Sequence, residues 1–87
     1  MYVIMVYDVS VERVAKVLKV GRKYLTWVQN SVLEGELTRA QLERLKAEMR
    51  EVIDESEDSV LFYLLRSADW MERESLGVRK GEPGWML

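Results

Sequence analysis

The residue types in this chain limit the chemistry that it can perform. Its 87 residues include no histidine and no cysteine. These absences exclude Ser-His-Asp triads, thiolate nucleophiles, and zinc sites built from histidine or cysteine ligands. Any chemistry must therefore rest on carboxylates, hydroxyl groups, Lys and Arg, or on a metal that prefers oxygen ligands, such as Mg²⁺. The first carboxylate of the chain, Asp8, ends a run of seven uncharged residues.

Asp8 follows an apolar run that is rich in Val, Ile and Tyr. Such a run is typical of a central strand buried on both faces, and it is too short for a membrane span, which needs ~20 apolar residues. Ser10 opens a helical pattern, so Asp8 lies where this strand leads into a helix. Because Asp favours turns and caps, the simplest interpretation of Asp8 is a turn or cap residue. The alternative is a functional carboxylate.

Basic side chains are concentrated near the start of the chain. The formal net charge is −2, yet residues 1–30 carry five basic side chains and only two acidic ones. The five are Arg13, Lys16, Lys19, Arg22 and Lys23. All except Arg22 recur at spacings of three or four, so they share one face of the predicted first helix. This face is either a solvated helix surface or a phosphate-binding surface.

The first helix is predicted from the N-cap Ser10 to the C-terminal stop Gly21. Its apolar stripe consists of Val11, Val14, Ala15, Val17 and Leu18. The second helix begins with a capping box formed by Thr38 and Gln41, and it runs to about Asp54. Its buried stripe consists of Leu42, Leu45, Met49, Val52 and Ile53. Further strands are predicted at residues 24–28, 30–34, 60–65 and 70–76, with a bulge or tight connection at residues 29–30.

This order of elements predicts an α+β fold with the ferredoxin-like βαββαβ arrangement. Both helices cover one face of an antiparallel sheet, in which the first and third strands pair at the centre. The extra C-terminal strand, residues 70–76, is expected to pair with a sheet edge of its own or of a partner protomer. Residues 1–77 form one domain and residues 78–87 a loosely ordered tail.

The second face of the predicted sheet needs a cover, because Tyr2, Ile4 and Val6 or their neighbours would otherwise face water. Closed two-fold dimers are the commonest soluble assemblies, so we expect a homodimer. The chain start lacks the basic region and cleavage site of a signal peptide, which indicates a cytoplasmic protein without a membrane anchor.

Several motifs resemble those of a known family. They are Tyr-Asp-Val-Ser at residues 7–10, the basic first helix, Gln-x-Ser-Val-x-Glu-Gly at residues 29–35, and Ser-Leu-Gly at residues 75–77. Together they resemble the small CRISPR-associated endoribonuclease family, the smaller of the two near-universal spacer-acquisition proteins. The resemblance covers essentially residues 1–77. Two positions depart from the usual pattern: Trp27 stands where the family often has Arg, and Leu33 where it often has Phe.

The resemblance implies a role in CRISPR adaptation (spacer acquisition). Members form homodimers that hold a DNA duplex and bridge subunits of an integrase partner. Some members are Mg²⁺-dependent nucleases that cut single-stranded RNA or double-stranded DNA. By this resemblance Asp8 is the catalytic residue and the metal ligand, and it shares one Mg²⁺ with its symmetry mate. The basic residues of the first helix are the nucleic-acid-binding residues.

Three hypotheses remain after this comparison of motifs. The chain is a Mg²⁺-dependent phosphodiesterase, a structural dimer that binds duplex DNA and an integrase, or a ferredoxin-like small-ligand or regulatory module without nuclease activity. Trp27 replaces an Arg that could stabilise charge in a transition state, and the chain lacks a histidine to act as a base. We therefore favour the structural, DNA-binding dimer as the working role, with nuclease activity as an additional property.

Overall fold

The computed structural model describes residues 1–67 and 70–78, which form five strands, two α-helices and one 3₁₀ turn. The strands are β1 (Tyr2–Asp8), β2 (Thr26–Gln29), β3 (Val32–Glu36), β4 (Ser59–Ser67) and β5 (Trp70–Gly77). The 3₁₀ turn (Val11–Arg13) leads directly into α1 (Val14–Gly21), and α2 (Arg39–Val52) connects β3 to β4. Most of the predicted tail, residues 79–87, lies outside the described residues.

The strands form one sheet in the order β2-β3-β1-β4-β5, and every pairing between neighbours is antiparallel. β1 lies in the centre between β3 and β4, which confirms the predicted pairing of the first and third strands. The predicted α+β, ferredoxin-like fold is therefore confirmed. The extra strand β5 pairs with β4 of its own chain from Trp70 to Gly77.

The two helices cover only one face of the sheet. On β1 the side chains of Val3, Met5 and Tyr7 are at most 5% exposed, whereas Tyr2 on the opposite face is 37% exposed. This alternation follows from the period of two residues in a strand. The prediction that the first strand is buried on both faces is thus wrong for a single chain. The face opposite the helices is called the open face below.

The first helix differs from its predicted stripe at two positions. Val17, Val20 and Gly21 are buried, whereas Val11 is 88% exposed and Ala15 is also exposed. Val11 lies in the 3₁₀ turn, whose three residues per turn aim its side chain away from the stripe of the α-helix. Gly21 is the last residue of α1, and a Cβ there would lie 3.0 Å from side-chain atoms of Leu33 and Met5.

The second helix begins as predicted. Thr38 Oγ1 accepts a hydrogen bond from the Gln41 N–H at 3.1 Å, and Gln41 Oε1 accepts one from the Thr38 N–H at 2.8 Å. Leu42, Leu45 and Met49 are fully buried against the sheet. The helix ends at Val52, two residues before the predicted end. No helix in residues 1–67 and 70–78 has the length and apolar character that crossing a membrane requires.

The turn between β2 and β3 lies one position later than predicted. Asn30 has a φ of 41°, the left-handed conformation that Asn tolerates in turns. A register shift between Trp27 and Gln29 marks a bulge in β2. As a result β2 and β3 each begin two residues later than the sequence pattern indicated.

Candidate functional site

Asp8 is the last residue of β1, and its exposed side chain lies on the open face. It is aligned with Ser59 of β4 in the sheet register. Within residues 1–67 and 70–78 its carboxylate takes part in no hydrogen bond or ion pair. Asp8 is therefore not a helix cap, and the interpretation of this residue as a cap is wrong. It is a carboxylate free to bind a ligand from outside the described chain.

A second carboxylate, Asp58, binds the backbone of the segment that follows β1. Its side chain is fully buried just before β4. Asp58 Oδ1 accepts a hydrogen bond from the Ser10 N–H at 3.0 Å, and Oδ2 accepts one from the Asp54 N–H at 2.8 Å. Asp58 ends the acidic segment Glu-Ser-Glu-Asp at residues 55–58. Its position directly before an uncharged strand is the one signal that could have singled it out.

Arg13 forms an ion pair with the buried carboxylate of Asp58. Its Nε donates to Asp58 Oδ2 at 2.6 Å and its Nη2 donates to Asp58 Oδ1 at 3.1 Å, a bidentate pair. The hydrogen bonds from Arg13, aided by the Asp54 and Ser10 N–H groups, hold the pKa of Asp58 well below its usual range despite burial. Asp58 and then Glu57 raise the pKa of the Arg13 guanidinium. These contacts define the Asp58 cluster, which consists of Ser10, Arg13, Asp54 and Asp58.

The five predicted nucleic-acid-binding residues divide into two groups. Arg13 is bonded to Asp58, Glu57 and Glu12, and its side chain is only 18% exposed. Lys23 donates to the carboxylate of Glu48. The other three lie exposed on or directly after α1 and form no ion pair within the described part of the chain: Lys16, Lys19 and Arg22. A phosphate would therefore meet the fewest competing carboxylates at these three.

The residues of the 29–35 motif shape the turn beside the end of β1. The Tyr7 hydroxyl donates to the Asn30 carbonyl oxygen at 3.3 Å, and the Tyr7 N–H donates to the Ser31 carbonyl oxygen at 3.1 Å. Trp27, which is 47% exposed, donates its indole N–H to the same Asn30 oxygen at 2.9 Å. The motif therefore fixes the hairpin against the strand that carries Asp8.

The open face combines apolar side chains with a carboxylate at one end. The sheet register aligns Ile4 with Tyr63 and Val6 with both Val32 and Leu61. Glu34 lies beside Ile4 on β3. Partial burial and the Glu34 carboxylate raise the pKa of the Tyr2 hydroxyl.

A metal ion at Asp8 would need ligands beyond one chain. In residues 1–67 and 70–78 no three carboxylates, histidines or cysteines are grouped closely enough to hold a metal ion. Mg²⁺ is commonly bound through one or two carboxylates, with water and phosphate oxygens filling the remaining positions. An exposed carboxylate without a partner in the described residues fits this requirement. The donor set is therefore compatible with Mg²⁺ when a second Asp8 or a phosphate is supplied.

Comparison with known proteins identifies the family to which this chain is similar. The family model described as CRISPR associated protein Cas2 matches residues 1–73. A protein of Thermotoga maritima named CRISPR-associated endoribonuclease Cas2 is 60% identical over 87 residues, which is 100% of each chain. A protein of the same name from Dictyoglomus turgidum is 56% identical over 82 residues, or 94% of each chain.

A solved structure shows the same fold. The crystal structure of Streptococcus pyogenes Cas2 has a TM-score of 0.70 and 38% sequence identity, and the match covers 80% of this chain and 90% of that one. The family model spans both Asp8 and the Asp58 cluster. The chain therefore belongs to the CRISPR-associated Cas2 family, which confirms the resemblance found in its motifs.

Proposed function

We propose that this chain is a CRISPR adaptation protein that acts as a cytoplasmic homodimer, binds duplex DNA and bridges integrase subunits. The observation that carries the proposal is the open face, which combines uncovered apolar side chains with an exposed carboxylate at its end. A single copy of this fold would leave those apolar side chains exposed to water. Family membership supports the CRISPR role, and the surface of α1 supports the binding of DNA.

The open face supports dimer formation. Tyr2 is 37% exposed and Met71 is 61% exposed, and both lie on this face with Ile4 and Val6. Exposed apolar side chains that share one face are typical of interaction sites. A second copy of the same face would remove it from water, and a two-fold axis would bring two copies of Asp8 to one interface.

Asp8 and its symmetry mate would hold a Mg²⁺ ion. When bound, the ion supplies charge stabilisation to a phosphodiester and lowers the pKa of a water molecule. The chain itself contributes an exposed carboxylate and a β2–β3 turn that Tyr7 and Asn30 hold beside the end of β1. It contributes no histidine that could act as a base. We therefore propose cleavage of single-stranded RNA or duplex DNA as the second activity and DNA binding as the main one. The relatives' name, endoribonuclease, supports the cleavage of RNA.

Lys16, Lys19 and Arg22 would contact the DNA backbone. They are exposed, and none is paired with a carboxylate within the described residues. Arg13 and Lys23 belong to the predicted set as well, but their carboxylate partners reduce the charge that they present to DNA. Each phosphate contact changes the slope of log affinity against log salt by about −0.9 for B-DNA.

A binding experiment tests the main activity. We expect the full chain to bind a labelled duplex in fluorescence anisotropy, with an affinity that falls as salt rises. Lys19→Glu should weaken binding and reduce the magnitude of the slope by about one contact, because a phosphate partner becomes a repulsive charge. Asp8→Asn serves as the matched control for DNA binding without added metal and should retain it. A slope near zero, or equal binding by Lys19→Glu, would contradict the proposal.

A cleavage experiment on the same proteins tests the second activity. Labelled single-stranded RNA and duplex DNA are incubated with Mg²⁺ and with either the wild type or Asp8→Asn. Cleavage by the wild type alone would support a role of Asp8 in catalysis. Equal cleavage by both proteins would identify a contaminating nuclease and remove the enzymatic part of the proposal.

A further inference from the structure

We propose that Asp58 is a positioning residue for Asp8. Its buried carboxylate holds the segment that follows β1 and so fixes the direction in which Asp8 is presented on the open face. The inference rests on the proposed role of Asp8 as a metal ligand. Asp58 itself is 0% exposed, so it cannot reach a metal ion or a nucleic acid on the surface.

The Asp58 cluster lies next to the backbone around Asp8 at two points. Ser59, which directly follows Asp58, is aligned with Asp8 in the register between β1 and β4. Ser10, two residues after Asp8, donates its N–H to Asp58 Oδ1 at 3.0 Å. Asp58 therefore directly precedes the strand partner of Asp8, and its side chain bonds to the loop into which Asp8 leads.

The carboxylate of Asp58 is held from three directions. It accepts four hydrogen bonds, from the N–H groups of Ser10 and Asp54 and from Nε and Nη2 of Arg13. Hydrogen bonds to charged groups are stronger than neutral ones, and a bidentate guanidinium also fixes the direction. Because Arg13 ends the 3₁₀ turn, the pair spans the whole segment between Asp8 and α1.

Asp8 depends on this support because its own side chain has none. No donor within the described residues binds its carboxylate, so the position of the side chain depends on the backbone that carries it. Metal ligands are usually oriented by hydrogen bonds from surrounding groups, and loss of such groups lowers metal affinity. Here the orientation acts through the backbone at Ser10 and Ser59.

Metal affinity tests the proposal independently of catalysis. The affinity of the full-length protein for Mn²⁺ is measured by electron paramagnetic resonance of the free ion, for the wild type, Asp58→Asn and Asp8→Asn. Asp58→Asn keeps the size of the side chain but removes its charge and one acceptor. We expect it to weaken Mn²⁺ binding by ~10- to 100-fold, the range found when supporting groups of metal ligands are lost.

Two control variants separate positioning from general stability. Glu57→Gln removes a neighbouring charge that also contacts Arg13 but leaves the bonds to Ser10 and Asp54 intact, so its Mn²⁺ affinity should stay close to that of the wild type. Leu45→Ala removes buried side-chain atoms from α2 and should lower stability without lowering Mn²⁺ affinity at temperatures where it is folded. Equal weakening by Leu45→Ala and Asp58→Asn would overturn the proposal.

Hydrogen exchange at the Ser10 amide completes the test. We expect exchange to be ~10-fold faster or more in Asp58→Asn, because a charged acceptor has been lost. If Asp8→Asn weakens Mn²⁺ binding and Asp58→Asn does not, the positioning role is overturned, whatever the exchange rate. If Asp8→Asn binds Mn²⁺ as the wild type does, the proposed function loses its metal site. In that case the Ser10 exchange rate alone decides whether Asp58 holds the segment.

Discussion

Asp8 and Asp58 are two carboxylates at one end of the sheet with opposite surroundings. Asp8 is exposed and has no partner in the described residues, whereas Asp58 is fully buried and accepts four hydrogen bonds. A buried carboxylate is stable only when such donors replace its lost hydration. The surroundings, rather than the residue type, assign one carboxylate to structure and make the other available for ligands.

The buried carboxylate makes stability depend on pH. Because the folded-state pKa of Asp58 is lowered by Arg13, the cluster stabilises the fold above the unfolded pKa of ~3.9. That contribution is lost as the pH falls below this value toward the folded pKa. Urea unfolding of the wild type should therefore show a free energy of unfolding that declines on acidification below pH ~5.

Asp58→Asn provides the comparison for this pH dependence. The variant should be less stable at pH 7, by less than the ~3–5 kcal/mol that breaking a fully buried ion pair costs, because Arg13 is partly exposed and keeps Glu12 and Glu57 as partners. Its decline in stability below pH ~5 should be shallower than that of the wild type. Identical slopes for both proteins would show that the other carboxylates account for the acid sensitivity.

The sequence indicated Asp8 and failed to indicate Asp58 for a physical reason. Asp8 stands out because a charge after a long uncharged run is a local feature. Asp58 lies among Glu55, Ser56 and Glu57, and this composition is typical of a solvated loop. Its burial depends on Arg13, which is 45 positions away in the sequence, so no local pattern encodes it.

The elements of this fold differ in how locally they are determined. The start of α2 could be predicted because the capping box is formed by residues three positions apart. The limits of β2 and β3 could not, since they depend on the left-handed backbone of Asn30 and on a bulge. The pairing of β5 with β4 also depends on contacts between residues distant in the sequence. One of them is the approach of the end of β5 to the Asp58 backbone.

The end of β5 depends on Gly77. Its φ is +79°, and a Cβ at this position would overlap the Asp58 carbonyl oxygen. The neighbouring Val78 N–H donates to that same oxygen at 2.9 Å. Gly77→Ala should therefore lower the free energy of unfolding by ~1–3 kcal/mol or more, because a strained backbone and a steric overlap add.

Gly35→Ala is the matched control for this substitution. A Cβ at Gly35 would lie 3.4 Å from the Leu25 side chain, an ordinary contact, and the backbone there is not left-handed. Urea unfolding at one protein concentration should show a much smaller loss for Gly35→Ala than for Gly77→Ala. Equal losses would show that β5 is not fixed at its end by the approach to Asp58.

At the scale of the whole molecule, the order of elements predicts the fold but leaves the apolar open face of the sheet without a cover. Hydrophobic periodicity in the helices and strands gave the βαββαβ arrangement, because each period specifies a type of element. Both helices lie on one face, so the apolar side chains of the other face require a partner. The sequence could predict that a partner must cover this face. The composition of the contact surface could not be predicted, because it depends on which side chains the register aligns across β3, β1 and β4.

A substitution on the open face tests the dimer that this surface implies. We expect the wild type to sediment as a dimer at micromolar concentration. Ile4→Asp should sediment as a monomer, because it places a charge in the middle of the face. Burying an isoleucine side chain is worth about 1.5–3 kcal/mol in each copy, and a charge buried without a partner adds a further penalty.

Val11→Asp is the control, since Val11 is 88% exposed outside the open face and an acidic residue is favourable near the start of a helix. This variant should remain dimeric and keep its stability. A dimer that persists in Ile4→Asp would place the interface elsewhere. The two Asp8 carboxylates would then have no reason to meet, and the shared Mg²⁺ site would lose its structural basis.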